Sequence, residues 1–172
     1  MSDHDNSTAL LESPVDEQEH RHPKVLVFSL SDENYAIDLE EAKEVLELSR
    51  LTKIPYTPAF IRGAMNLRGE IITIIDIREL AGLPARKINE EFKVIVTDAT
   101  GSPIGILADT VKGTLDISKA DIQPPLLTIS ERSQRHIKGQ VRLENQILIL
   151  LDLKKILLSD AINQLRGVKA TG

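Results

Sequence analysis

The sequence predicts a mainly β protein made of two small curled sheets or barrels, one from each half of the chain. Three observations carry this. The segment IRGAMNLRGEIITIIDIREL, starting at Ile61, returns without a gap 76 residues later as IKGQVRLENQILILLDLKKI, starting at Ile137. Strand-type apolar runs are short and separated by Gly, Pro and Asn turn signals, with no βαβ alternation that would give a parallel doubly wound sheet. A lone sheet of about 60 residues buries little surface and is marginal. Two copies packed together can share a core and leave a groove between them.

Taken in order, residues 1–23 are polar, acidic and aperiodic and read as a disordered leader. His20 and His22 lie at i, i+2 with no third ligand held rigidly, so a solvated tail is the better reading than a metal site. KVLVFSL (24–30) clusters β-branched and apolar residues as a strand does, SDEN is a turn, and YAI continues as a short strand. DLEEAKEVLEL then takes helical spacing, with Leu39, Ala42, Val45 and Leu46 on one side and Asp38 and Glu41 as a capping box. SRLTKI reads as a strand and PYTPAF as a Pro-punctuated turn.

The repeated block reads as two strands joined at Arg68-Gly69, mirrored by two strands joined at Glu144-Asn145. Gly69 aligns with Asn145, and Gly and Asn best tolerate the positive φ that tight hairpins demand. Gly63, Gly69 and Asn145 are therefore assigned backbone roles. Asp76 and Asp152 stand where each strand gives way to helical spacing (IRELAGL, LKKILL) and are expected to be N-caps, with a catalytic carboxylate as the alternative. Fainter echoes pair KVLVFSL with FKVIVTD and NYAIDL with SPIGILAD. The expected division is a first subdomain at about 24–84 and a second at about 92–158, with strand exchange between them allowed. A C-terminal helix extension and frayed tail follow at 159–172. The isoleucine-rich runs at 71–75 and 147–151 suggest strands covered on both faces.

Of the net charge of −5, the first 22 residues account for all, since six carboxylates there face Arg21 alone. The remainder is balanced and carries no basic stretch interleaved with aromatics, which argues against nucleic acid as a partner. No apolar run is long enough to span a bilayer, and the start has no signal-peptide pattern. Absence of cysteine rules out disulfides and thiol chemistry and fits a cytoplasmic address. There is no P-loop, GxGxxG, nucleophile motif or His/carboxylate cluster, so no catalytic, cofactor or metal site is assigned.

The stretches LVFSLSDENYAIDLEEAKEVLEL, TKIPYTPAFIRGAMNLRGEIITIIDIREL, GILADTVKGTLDIS and IKGQVRLENQILILLDLKKIL make residues 24–158 resemble the CheW-type chemotaxis coupling proteins, the NLRG of the central block being the most specific feature. The resemblance implies two five-stranded SH3-like β-barrels related by a pseudo-two-fold, and no catalytic activity. It implies a cytoplasmic adaptor that joins the tips of transmembrane chemoreceptors to the regulatory domain of a CheA-type histidine kinase in membrane-associated arrays. Another double-barrel scaffold, serving a different signalling kinase such as that of a surface-motility pathway, is the alternative. Carried over by position, Arg68 is the first candidate for receptor binding, with Glu44, Ala42 and Asn66 around it; Asn66 and Gly69 also have structural readings. Departures lie in the second half: GQVRL replaces a glycine-rich strand, Lys154 an acidic residue, and VKGTLDI a valine-rich strand. They make kinase contact there less secure and hint at a specialised coupling protein.

Overall fold

The computed structural model describes residues 22–126 and 131–158. Residues 1–21 of the expected leader (1–23) and the expected C-terminal extension (159–172) lie outside the described residues. The strands are β1 (Lys24–Leu30), β2 (Glu33–Asp38), β3 (Glu44–Glu47), β4 (Ile61–Leu67), β5 (Glu70–Ile75), β6 (Lys93–Thr97), β7 (Ile104–Ala108), β8 (Thr110–Asp116), β9 (Ile122–Gln123), β10 (Ile137–Leu143) and β11 (Gln146–Leu151). Among the described residues, two short helices, α1 (Glu131–Gln134) and α2 (Leu153–Leu157), complete the regular structure together with 3-10 turns at Leu39–Glu41 and Lys119–Asp121.

The strands form two SH3-like curled sheets, in the orders β8-β1-β2-β11-β10-β9 and β3-β6-β7-β5-β4. The first has six strands where five were expected, because the two-residue β9 pairs with β10. Its counterpart in the second sheet is reduced to one bridge between Thr52 and Ala64. Neither sheet closes into a barrel through a continuous ladder, since the end strands of each order do not pair with one another.

The repeat is written into the register. Ile61 faces Ile75 and Gly63 faces Ile74 across a bulge at Arg62, just as Ile137 faces Leu151 and Gly139 faces Leu150 across a bulge at Lys138. Each hairpin then runs parallel to a strand of an earlier or later hairpin, β11 to β2 and β5 to β7. Because β1–β2 and β6–β7 are the paired copies, each half of the chain donates its first hairpin to the sheet built on the other half's second hairpin.

This exchange explains the near-continuous apolar strands. Along β1, Val25 and Val27 fill the interior of the first sheet, while Leu26, Phe28 and Leu30 point into a core between the sheets. Along β6, Val94 and Val96 fill the second sheet and Ile95 joins the shared core. The shared core also holds Tyr35, Ile37, Ile75, Ile77, Ile106, Leu151, Leu153 and Ile156, with the Phe28 and Tyr35 rings stacked at 6.2 Å. Each such side chain stabilises the fold by about 1.5–3 kcal/mol on burial. At the tips the coverage fails: Ile71 is 73% exposed and Ile147 48%, so the runs are covered on both faces only from Ile72 and Leu148 onward.

Several local expectations need correction. Residues 38–48 are not a helix: a 3-10 turn leads into β3, whose register Glu44↔Val96 to Glu47↔Lys93 satisfies the backbone that a helix would otherwise have satisfied itself. Asp38 makes no side-chain cap hydrogen bond there. SRLTKI contributes only the Thr52 bridge. The segment after Asp76 forms consecutive turns, with Ala81 N–H donating to Ile77 O and Leu83 N–H to Arg78 O, instead of a helix. Asn145 does not adopt a positive φ, although Gly69 does at +87°.

Candidate functional site

The β4–β5 hairpin turns through Arg68 (φ 50°) and Gly69 (φ 87°), two successive left-handed residues that match the twist of the strands they join. Asn66 holds the turn: its Oδ1 accepts from the Gly69 N–H at 2.9 Å. The turn thus throws the Arg68 side chain outward, where it is 70% exposed. Its guanidinium Nη2 donates to Glu44 Oε2 at 2.5 Å. Glu44 comes from β3, at the opposite edge of the sheet order, so the pair lies over the seam of the curl. The hydrogen bond to Glu44 and the charge behind it hold the Arg68 pKa above its ordinary value.

Two of the four receptor candidates named from the sequence, Arg68 and Glu44, therefore meet, and a third, Asn66, supports the turn that carries Arg68. Ala42 sits beside them in sequence, just past the 3-10 turn, where its N–H donates to Leu39 O and its methyl packs on the shared core. Ile71, paired with Asn66, and Val45, next to Glu44, are exposed apolar neighbours of the two ends of the pair.

The second copy differs at both positions. The repeat places Glu144 where the first copy has Arg68. In the registers of β1 with β8 and of β6 with β3, Val27↔Gly113 corresponds to Val96↔Glu44, which sets Gly113 where the first copy has Glu44. The ion pair belongs to one sheet only.

The other assigned positions are structural. A Cβ on Gly63 would lie 2.6 Å from Thr52 O, and one on Gly139 would lie 2.7 Å from Gln123 O. Both glycines admit the strand fragment that flanks their hairpin. Asp152 caps α2 by accepting from Lys155 N–H at 3.1 Å. Asp76 has no helix to cap; it is buried, and its Oδ1 accepts from the Arg78 backbone N–H at 3.1 Å and from Arg78 Nη1 at 2.9 Å.

Arg78 is not singled out by the sequence reading. It is 1% exposed, donates to both Asp76 and Asp109, and lies over the Phe92 ring at 5.0 Å. Asp109 also accepts from Arg86 and from the Ser31 N–H, so the network ties the β1–β2 turn to the segment after β5. Nothing in the sequence marks it, because its carboxylates are remote from Arg78 along the chain or masked as a cap. Among the described residues no group of three or more His, Cys, Asp or Glu side chains is placed to hold a metal. Among them, too, no helix is long and apolar enough to cross a membrane.

Residues 24–161 match the family model of the CheW-like domain. The chain belongs to the CheW-like family. It is 33% identical over 135 residues to the chemotaxis protein CheW of Klebsiella aerogenes, covering 78% of this chain and 81% of that one. It is 35% identical over 133 residues to protein FrzA of Myxococcus xanthus, covering 76% and 82%. The crystal structure of the scaffolding protein TtCheW from Thermoanaerobacter tengcongensis superposes with a TM-score of 0.72 at 29% identity, covering 81% of this chain and 90% of that one. The CheW-like fold and the CheW-type scaffold class expected from NLRG and its surroundings are thus those of the chain.

Proposed function

We propose that the chain acts as a non-catalytic chemotaxis adaptor in the cytoplasm, linking the tips of transmembrane chemoreceptors to the regulatory domain of a CheA-type histidine kinase, and that Arg68 and Glu44 form part of the receptor-binding surface. One observation carries the site assignment: the Arg68–Glu44 pair is present in one copy of the repeat and replaced by Glu144 and Gly113 in the other. Both hairpins fold with the same register. The pair is therefore not needed to make the hairpin, and a charge kept at an exposed tip without a folding role suits a partner.

Direct contact with the kinase is assigned to the ends of the curled sheets, with membrane association arising only through partners. Co-sedimentation of the purified chain with receptor-containing membranes, with and without kinase, tests the reading. Wild type should pellet with receptors and enhance kinase recovery, and Arg68→Ala should lose the receptor-dependent part. Wild type that never pellets with receptors overturns the adaptor assignment; Arg68→Ala that pellets normally overturns only the site.

The 35% identity to FrzA favours a second reading, in which the same scaffold serves a different chemosensory-like kinase. Recovery of a non-CheA kinase with the chain from its own cells would select it.

A further inference from the structure

Neither half of the chain completes a sheet with its own strands. The hairpins β1–β2 and β4–β5 of the first half lie in different sheets, as do β6–β7 and β10–β11 of the second. The ladders that join them, β1 with β8, β2 with β11, β3 with β6 and β5 with β7, all run between the halves. The shared core does the same, setting Phe28 and Ile75 against Ile106 and Leu151. None of these contacts requires the two halves to belong to one molecule. A first half from one copy and a second half from another would make every one of them.

One connection decides which second half a first half meets. It runs from the half-buried Leu83 to the buried Phe92, and every residue from Pro84 to Glu91 is exposed. Among the described residues, the hydrogen bonds that hold it are local or peripheral. Asn89 folds its end back, with Oδ1 accepting from Glu91 N–H and the backbone O from Phe92 N–H, each at 3.0 Å. Arg62 Nη2 donates to Arg86 O at 3.1 Å, and the 53%-exposed Arg86 side chain donates to Asp109 Oδ2 at 2.8 Å. Straightening the loop breaks these bonds and no ladder. Pro84 disposes Leu83 toward extended backbone. Drawn out, the eight residues reach about 26 Å, enough to leave one body and enter a neighbour.

We propose that residues 84–91 are a hinge through which two copies of this chain exchange halves, giving a dimer of two bodies, each made of β1–β5 from one copy and β6–β11 from the other. A second copy is the partner because it supplies the strands, in register, for all four ladders at once. The strand pairings and the core are the same in monomer and dimer, so concentration and hinge length set the balance. A half on its own lacks its ladders, so exchange requires both sheets to open. It is therefore slow, and the dimer persists on dilution. Each body carries Arg68 and Glu44 of one copy on a sheet completed by the other's β6 and β7. The dimer thus presents that face twice, and two-point attachment to receptors is a consequence that rests on the receptor reading above.

The chain has no cysteine, so introduced single cysteines report the exchange. Lys24 and Asp116 face one another in the β1–β8 register, are both exposed, and lie on opposite sides of the hinge. Full-length Lys24→Cys and Asp116→Cys chains are mixed at high concentration, partly unfolded in urea, returned to buffer and oxidised. The expected product is a disulfide joining the two different chains, in a species of twice the chain mass by light scattering. Arg142→Cys with Ile147→Cys is the control, because β10 and β11 stay on one chain in the exchanged form and should not link two. Deleting residues 87–90 strains closure within one chain and should raise the dimer fraction about tenfold. The cysteine chains keep the full hinge and decide the matter even where the deletion fails to fold. The proposal is overturned if the two chains do not link, if the control pair links as readily, or if the deletion variant folds and stays monomeric. Receptors enter none of these readouts, so failure of the receptor reading leaves them standing.

Discussion

Arg68 and Glu44 meet over the seam of the five-stranded sheet, Nη2 to Oε2 at 2.5 Å, joining the β4–β5 tip to the edge strand β3. The two side chains are 70% and 30% exposed, so water and salt screen the attraction. In the six-stranded sheet the corresponding positions are Glu144 and Gly113, which form no such pair, and the sheet forms regardless. The curl must come from burial of Met65, Ile72, Val94 and Leu107 inside it, with the ion pair resting on top.

Arg68→Ala should therefore leave Tm within about 2 °C of wild type. Its loss of receptor binding should not be restored by exchanging the two charges (Arg68→Glu with Glu44→Arg), which rebuilds the pair but inverts what the partner meets. Thermal melts and receptor co-sedimentation on the same preparations measure both. Binding recovered by the exchanged pair would show that the bridge itself, and not the position of the cation, is what matters.

Gly63 and Gly139 are matched positions under matched constraints. An alanine Cβ at either would press on a backbone carbonyl oxygen, that of Thr52 at 2.6 Å or of Gln123 at 2.7 Å, neither of which can rotate away as a side chain does. At Gly63 the φ of +146° adds strain. Gly63→Ala and Gly139→Ala should each destabilise by about 1–3 kcal/mol, as overpacking does, with Gly63→Ala the worse. Gly69→Ala meets nothing within 4 Å and suffers only its φ of +87°, so it should cost less than either. Urea denaturation of the three variants ranks them, and a Gly69→Ala loss exceeding that of Gly63→Ala would contradict the close approach at Thr52.

The strand content of the chain is legible because β-branched runs, turn residues and a gap-free repeat all point the same way. Residues 38–48 mislead because Leu39, Ala42, Val45 and Leu46 fit helical spacing while β3 uses only Val45 and Leu46, and pairing with β6 overrides local preference. Ile71 misleads for a related reason: apolar type fixes strand character, but exposure depends on where the hairpin tip outruns the core. Local sequence leaves the exchange of first hairpins undecided, since it depends on which hairpins pair in parallel and not on any residue's type. Arg68 and Glu44 are each reachable through family resemblance; that they touch is not, and Arg78 with Asp109 has no signal at all.

Glu41 gives the fold a pH dependence. Its Oε2 is buried with no hydrogen-bond partner, and burial raises its pKa above the ordinary 4.5. Lys138 opposes the rise, while Asp38 and Asp152 add to it. The folded chain thus holds this proton more tightly than the unfolded chain, so Glu41 costs stability progressively as pH climbs from about 4.5 through its raised value, and the full penalty applies above that. Glu41→Gln removes the charge at nearly constant volume. Its Tm should exceed wild type at neutral pH, and the gain should shrink as pH falls toward 4.5 and below. A gain that grows on acidification would mean that Glu41 is stabilised as a carboxylate in the fold.

The reciprocal exchange of hairpins predicts how the chain comes apart. A cut in the 84–91 loop, between β5 and β6, would leave β1 and β2 on the first fragment while their partners β8 and β11 lie on the second. It would equally separate β3 and β5 from β6 and β7. Neither fragment keeps a complete sheet, and the shared core of Phe28, Ile75, Ile106 and Leu151 is divided between them. The intact chain should accordingly unfold in one cooperative transition, with calorimetric and van't Hoff enthalpies equal. Fragments 1–86 and 87–172 should each lack cooperative melting alone and regain it when mixed, because both sheets are completed only by the two together. Circular dichroism melts of each fragment and of the equimolar mixture decide it. A sharp, independent transition in either fragment alone would show that one half builds its own core without the hairpin that the other supplies.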